Sequence, residues 1–287
     1  MNWWTALILG IVQGFTELLP VSSSGHLVLF ERLLGVRLTD ASFEITVHVA
    51  TAAALCLVLR REIWLMLRSI LPAGTSQVVD SKTGGFLPGG SVGSQVEGSQ
   101  NERRRGRLLI LAVVIGTLPA VLVGAVASDK IEAAFHGATL TVAMLPLTGV
   151  FLILTRWAQD RGRDVSKLRA LIVGVAQAIA ILPGISRSGM TVGTGLFLGV
   201  TKEQAVKFSF LLSIPAIAGG ALLKLAKGSS GVPSVGAQNL AIASVVAFLS
   251  ALLAARVLFG VVRRGKLDYF GYYCLAVGVL GLLFLAR

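Results

Sequence analysis

Glu17 stands four residues after Gln13, so on a helix the two side chains project from one face, and Phe15, Leu18 and Leu19 make the surroundings apolar. A carboxylate in such a setting is costly to keep charged, which makes Glu17 a candidate functional group. It is followed by Leu19-Pro20-Val21-Ser22-Ser23-Ser24-Gly25-His26. Pro20 cannot continue a helical hydrogen-bond ladder, the three hydroxyls include a candidate nucleophile, and the imidazole can exchange protons near neutral pH. A second cluster reads Leu182-Pro183-Gly184-Ile185-Ser186-Arg187-Ser188-Gly189-Met190-Thr191. The guanidinium of Arg187 is permanently charged, and its forked donors fit phosphate or carboxylate oxygens. Ser186, Ser188, Gly189 and Thr191 can add hydroxyl and backbone N–H donors, as loops before helix N-termini do for phosphate. Together the two clusters specify a site for an anion, with Arg187 free to pair with Glu17 when no ligand is bound.

The chain that carries them is apolar throughout. Of 287 residues 54% are hydrophobic and only 14% charged, against about a quarter charged in soluble domains. The mean hydropathy is +0.80, and the expected fold is an all-α polytopic membrane protein. The net charge of +12 does not imply a nucleic-acid partner, because the basic residues crowd into a few loops. Six stretches are long and apolar enough to span a bilayer: 41–60, 107–127, 138–156, 203–225, 238–260 and 268–286. Two more, 1–34 and 167–200, are interrupted by Pro, Gly and Ser and read as re-entrant helix-loop-helix hairpins. Irregular backbone at membrane depth is tolerated only inside protein or along a wet cavity, so both breaks belong to the site. Trp3 and Trp4 suit an interfacial anchor on a retained first segment, and Cys56 and Cys274 lie in apolar runs with no disulfide framework. Residues 72–106 turn to Gly, Ser, Gln and charge, read as a solvated loop, and end in the orientation signal Arg103-Arg104-Arg105.

An internal repeat is visible within a single domain, 1–287. Gly10, Gln13 and Gly25 recur as Gly174, Gln177 and Gly189 with the same spacing, and Phe43-Glu44-Ile45-Thr46 aligns loosely with Phe208-Ser209-Phe210-Leu211. Repeat one covers about 1–156, with 72–106 as an insertion, and repeat two about 167–287. Placing 60–107, 156–169, 202–207 and 263–266 in the cytoplasm puts 18 of the 26 Lys and Arg there. The stretch 41–60 then runs inward and its counterpart 203–225 outward, so the repeats are inverted and the two breaks can meet near the midplane. They are not equivalent: Ile181 occupies the place of Glu17, so the first loop supplies the acid and the second the positive charge.

The segments Gly10-Ile-Val-Gln13-Gly-Phe-Thr-Glu17-Leu-Leu-Pro20-Val-Ser-Ser-Ser-Gly25-His26 and Pro183-Gly-Ile-Ser-Arg187-Ser-Gly189 resemble the two signatures of the undecaprenyl-diphosphate phosphatase family, also called bacitracin-resistance proteins. The similarity extends through Phe43–Ala53 and Phe208–Pro215 and covers nearly the whole chain outside 72–106. The resemblance implies a hydrolase in the bacterial plasma membrane, with its site opening to the outer face. It would cleave undecaprenyl diphosphate to the monophosphate and inorganic phosphate, recycling the lipid carrier for cell-wall synthesis with a divalent cation, Mg²⁺ or Ca²⁺. Carried onto this chain, Glu17 binds metal or handles protons, His26 is acid or base, Arg187 neutralises the diphosphate and Ser23 is the nucleophile with His26 as its partner. A water positioned by Ser23 is the other reading of that step. Gln13, Ser22, Ser24, Gly25, Gln177, Ser186, Ser188, Gly189 and Thr191 complete the expected substrate site. The family's first motif carries Glu or Gln at the place of Gln13; this chain has the Gln form and hence one carboxylate there. The implied partners are the polyprenyl diphosphate and membrane lipids, and the oligomeric state, a homodimer included, stays open. Paired broken hairpins in an inverted repeat are also a transporter plan, so a transporter or flippase of polyprenyl phosphate lipids is the alternative.

Overall fold

The computed structural model describes residues 1–36, 41–71, 92–135, 137–226 and 235–286. Among them the chain is helical, with one isolated backbone bridge between Arg163 and Val200. The helices are α1 (Trp3–Leu18), α2 (Ser23–Leu34), α3 (Ala41–Val58), α4 (Arg60–Ile70), α5 (Val92–Phe135), α6 (Ala138–Leu154), α7 (Lys167–Ile179), α8 (Arg187–Phe197), α9 (Lys202–Ala226), α10 (Ala237–Arg263) and α11 (Asp268–Leu285).

Five described helices are long and apolar enough to cross a membrane: Gln100–Ala127 within α5, α6 extended through Trp157, α9, α10 and α11. Counted as one span, the bent pair in which Ser42–Val58 turns by 77° into α4 would make six. Large apolar side chains cover the outside of the bundle: Leu122, Val126, Leu280 and Leu283 are all strongly exposed. So much apolar surface is the exterior of a multi-pass membrane protein, solvated by lipid tails.

The two interrupted stretches do break at their prolines, Pro20 and Pro183, while Gly25, expected to shape the first break, lies inside α2. The first separates α1 from α2 at 19–22, the second α7 from α8 at 180–186. Two expectations need adjusting. The helix α5 begins at Val92, inside the stretch read as a solvated loop, while 72–91 lies outside the described residues. The stretch 41–60 is followed directly by α4, whose last carbonyls are met by arginines from α5: Arg107 Nε donates to Ser69 O at 3.2 Å and Arg103 to Leu71 O at 3.1 Å. Cations there satisfy carbonyls that have no helical partner and complement the helix dipole. Part of the Arg cluster therefore seats one helix on another.

Small residues set the packing, as they do where lipid supplies no hydrophobic drive between helices. On α1, Gly10 and Gly14 lie against the α10 backbone at Ala243 and Ala247. On α7, Gly174 lies against Gly116 of α5. The first half's broken hairpin thus packs on a helix of the second half, and the second half's on a helix of the first. Between α6 and α11 the approach is mutual: a Cβ on Gly149 would come within 2.8 Å of Gly271 O, and one on Gly271 within 2.7 Å of Gly149 O. The two breaks meet, with hydrogen bonds running from one to the other.

Candidate active site

The first break owes its shape to Ser22, whose φ of 69° and ψ of 103° put a non-glycine residue in the sparsely populated left-handed half of the map. Strain of this kind costs about 1–3 kcal/mol and persists only where the surroundings impose it. Here the surroundings are specific. Ser22 Oγ accepts the Gly25 N–H at 3.4 Å, and Ser22 O accepts both the His26 N–H at 3.3 Å and the His26 ring at 2.8 Å. A carbonyl can only accept, so Nδ1 of His26 carries a proton, and in the neutral ring Nε2 accepts from the Tyr273 hydroxyl at 2.8 Å. The two rings stack, 5.5 Å apart and 8° from parallel.

The second break repeats this design. Ser186 Oγ accepts the Gly189 N–H at 3.1 Å, and Gly184 makes the turn at φ 87°. Thr148 of α6 holds the loop by accepting the Ser186 N–H at 3.0 Å. The loops also brace each other. Gly184 N–H donates to Ser24 Oγ at 3.0 Å, and Ser188 Oγ donates to Leu19 O at 3.0 Å. The hydroxyls of Ser24 and Ser188, expected to meet substrate, also join one loop to the other. Thr191 bonds to Arg187 O at 2.8 Å and to Ser209 of α9 at 2.6 Å.

Across this brace Glu17 and Arg187 meet. An Arg187 terminal nitrogen donates to Glu17 Oε1. Glu17 Oε2 accepts from Ser23 Oγ at 2.7 Å and Gln13 Nε2 at 3.1 Å, and His48 Nε2 of α3 lies 3.3 Å away. His48 Nδ1 sits 2.8 Å or less from an oxygen, at 2.7 Å from Glu44 O, so both ring nitrogens face acceptors. The carboxylate is almost fully enclosed, its side chain 4% exposed, while Arg187 at 20% and Ser23 are only partly covered. A buried acid thus orients a reachable hydroxyl and guanidinium, and the permanent charge and forked donors of that guanidinium suit an arriving anion.

The expected pairing of Ser23 with His26 does not form. The acceptor for Ser23 is Glu17, because both ring nitrogens of His26 are taken by Ser22 O and Tyr273. Gly25 lies beneath Leu145 of α6, which closes the loop from that side. Gln177 is buried, and neither atom of its amide has a partner in the structure. His48, Tyr273, Thr148 and Ser209 escaped the sequence reading. For His48 a signal existed: the repeat alignment at Phe43–Thr46 stops two residues short of it.

Among the described residues no three His, Cys, Asp or Glu side chains converge as metal ligands. The break does offer hard oxygens: the Glu17 carboxylate, the Ser23 hydroxyl and the amide oxygen of Gln13, which is buried without a partner. Such a set suits a cation like Mg²⁺, which keeps waters and takes its remaining ligands from substrate phosphates.

Known proteins resemble this chain along nearly its whole length. The undecaprenyl-diphosphatase of Salinibacter ruber is 39% identical, with 98% of this chain and 99% of the relative aligned. That of Korarchaeum cryptofilum is 39% identical over 96% of each chain, and one from Bacteroides fragilis 37% identical over 98% of this chain and 97% of the relative. The family model described as bacitracin resistance protein BacA matches residues 6–280, which include both breaks, so the chain belongs to that family.

Proposed function

We propose that this protein hydrolyses undecaprenyl diphosphate to undecaprenyl phosphate and inorganic phosphate, the activity for which its relatives are named. The observation that carries the reading is the hydroxyl of Ser23 donating to Glu17 at 2.7 Å while Arg187 pairs with the other carboxylate oxygen. The alternative, lipid transport, is not favoured.

Phosphoryl transfer needs mostly positioning and charge neutralisation, which fits a site with so few reactive groups. The diphosphate draws Arg187 from Glu17 onto its own oxygens, which the forked guanidinium matches. Glu17, released from that pair, accepts the proton of Ser23 as Oγ attacks the terminal phosphorus. The bond between the terminal phosphorus and the bridging oxygen breaks, and the lipid monophosphate departs with the proton. Water then attacks the phosphoserine, giving its proton to Glu17, which returns it to Ser23 as inorganic phosphate leaves. His26 holds the strained turn that presents Ser23, while Gln13 and Gln177 face the polar end of the substrate. A divalent cation would be held by Glu17, the Gln13 amide oxygen and Ser23, and would supply further neutralisation of the diphosphate.

The same reading assigns the two broken hairpins as re-entrant elements of an inverted repeat around six spans, in a bacterial inner membrane with the site open to the outer face. The polyprenyl tail then stays among lipid chains while the diphosphate enters between the loops. Purified protein in detergent, given undecaprenyl diphosphate and Mg²⁺ or Ca²⁺, should release inorganic phosphate. Absence of release with every divalent cation, together with movement of labelled lipid between leaflets of proteoliposomes, would establish transport instead.

A further inference from the structure

We infer that His48 of α3 is a positioning residue, which fixes the rotation of the Glu17 carboxylate so that Oε2 faces Ser23 and Oε1 faces Arg187. The inference rests on the reading of Glu17 as the acceptor of the Ser23 proton. The geometry is direct. His48 Nε2 lies 3.3 Å from Oε2, the oxygen that also receives Ser23, and the opposite ring nitrogen is anchored at 2.7 Å on the Glu44 carbonyl of the same helix. The ring is thereby a strut between α3 and the end of α1. Gln13 reaches Oε2 from within α1 itself, at 3.1 Å, and so cannot tie Glu17 to a neighbouring helix. The base of the strut is braced in turn, since Glu44 makes an ion pair with Lys224 of α9 at 2.5 Å. A carboxylate with two usable oxygens can turn about its terminal bond, and donors on fixed elements are what hold such a group in productive geometry.

The internal repeat supplies a second, independent observation. Extending the alignment of Phe43 with Phe208 places His48 opposite Ser213, and the alignment of Gly10 with Gly174 places Glu17 opposite Ile181. The second half thus lacks both the acid and the imidazole. Ser213, without a carboxylate to serve, donates back to Ser209 O of its own helix at 3.0 Å. The strut occurs in the half that has something to hold.

The test compares the wild type with His48→Asn, His48→Gln and His48→Leu, each purified in detergent and assayed for phosphate release from undecaprenyl diphosphate at saturating Mg²⁺. The amide nitrogen of Gln reaches the place of Nε2, whereas that of Asn reaches only the place of Nδ1. If His48 acts by holding Glu17, Asn and Leu lower kcat on the order of tenfold or more with KM within about twofold, and Gln recovers most of the loss. Thermal unfolding in detergent identifies variants that fold, and the Asn and Gln pair decides the matter should Leu not fold. An Asn variant as active as wild type beside a weak Gln variant overturns the inference in favour of a role in pinning α3 alone. A rise in KM at unchanged kcat overturns it in favour of direct substrate contact. Wild-type protein that releases no phosphate removes the functional reading, and this inference with it, whereas active wild type with an equally active Leu variant removes the inference alone.

Discussion

Ser23 and Glu17 form a contact in which a reachable nucleophile meets a buried acceptor, at 2.7 Å. Replacing Ser23 by Ala removes the attacking oxygen but leaves the strained Ser22 turn and the cross-loop bonds of Ser24 in place. Ser23→Ala should therefore lower kcat on the order of a hundredfold or more with little change in thermal unfolding, and the wild type should yield a trapped phosphoserine at position 23 under rapid acid quench. A variant that keeps most of its turnover would mean that water attacks directly. The acid, the arginine and the candidate nucleophile were legible in the sequence because charge and hydroxyls are rare in apolar runs. The partner of Ser23 was not. Spacing brought His26 near in the chain, but the direction of its ring depends on the φ of Ser22 and on Tyr273, which stands 247 residues away. His48 was missed for a related reason: a histidine within an apolar helix reads as packing until the helix it faces is known.

At the scale of the element, the first break follows from Pro20 and the second from Pro183 and Gly184, and the capping serines were visible as residues though not as caps. What no local pattern shows is how the second loop is pressed onto α6. A Cβ on Gly184 would overlap the carbonyl oxygen of Thr141, and the residue already occupies φ 87°. Gly184→Ala should thus cost more than about 1 kcal/mol from backbone strain alone, with the collision added, and it should lower activity by displacing Arg187 three residues on. Gly124→Ala is the control. Nothing lies within 4 Å of a Cβ on Gly124, so this helical position should be neutral or stabilised by about 0.5–1 kcal/mol. Paired thermal unfolding and phosphate-release measurements distinguish the two. The turn from α3 into α4 lay beyond a hydropathy reading for a different reason. Arg60, Arg61 and Arg68 lower the apolarity of that segment, yet Trp64, Leu67 and Ile70 give it an exposed apolar side, so it forms a helix bent 77° away from α3.

At the scale of the molecule, the interruptions by Pro, Gly and Ser anticipated the two helix breaks, and the structure adds that α1 leans on α10 and α7 on α5. An ion-pair cluster then ties α4, α9 and α10 at the end where the basic loops gather: Lys207 meets Glu62 at 2.8 Å and Glu203 at 3.0 Å, and Arg263 meets Glu203 at 3.2 Å. Exposed pairs of this kind stabilise little, so their placement matters more for orientation than for folding. If basic residues mark the cytoplasmic side, Gln159, beside the 3-10 turn Thr155–Trp157, lies inside, and Gln238, at the start of α10, lies outside. Both are exposed, and the exposed native thiol of Cys56 must first be replaced by Ser. An impermeant thiol reagent added to intact cells should then label Gln238→Cys and reach Gln159→Cys only after permeabilisation. The reverse pattern would turn the molecule over, open the site to the cytoplasm, and make its substrate the diphosphate carrier present on the inner leaflet.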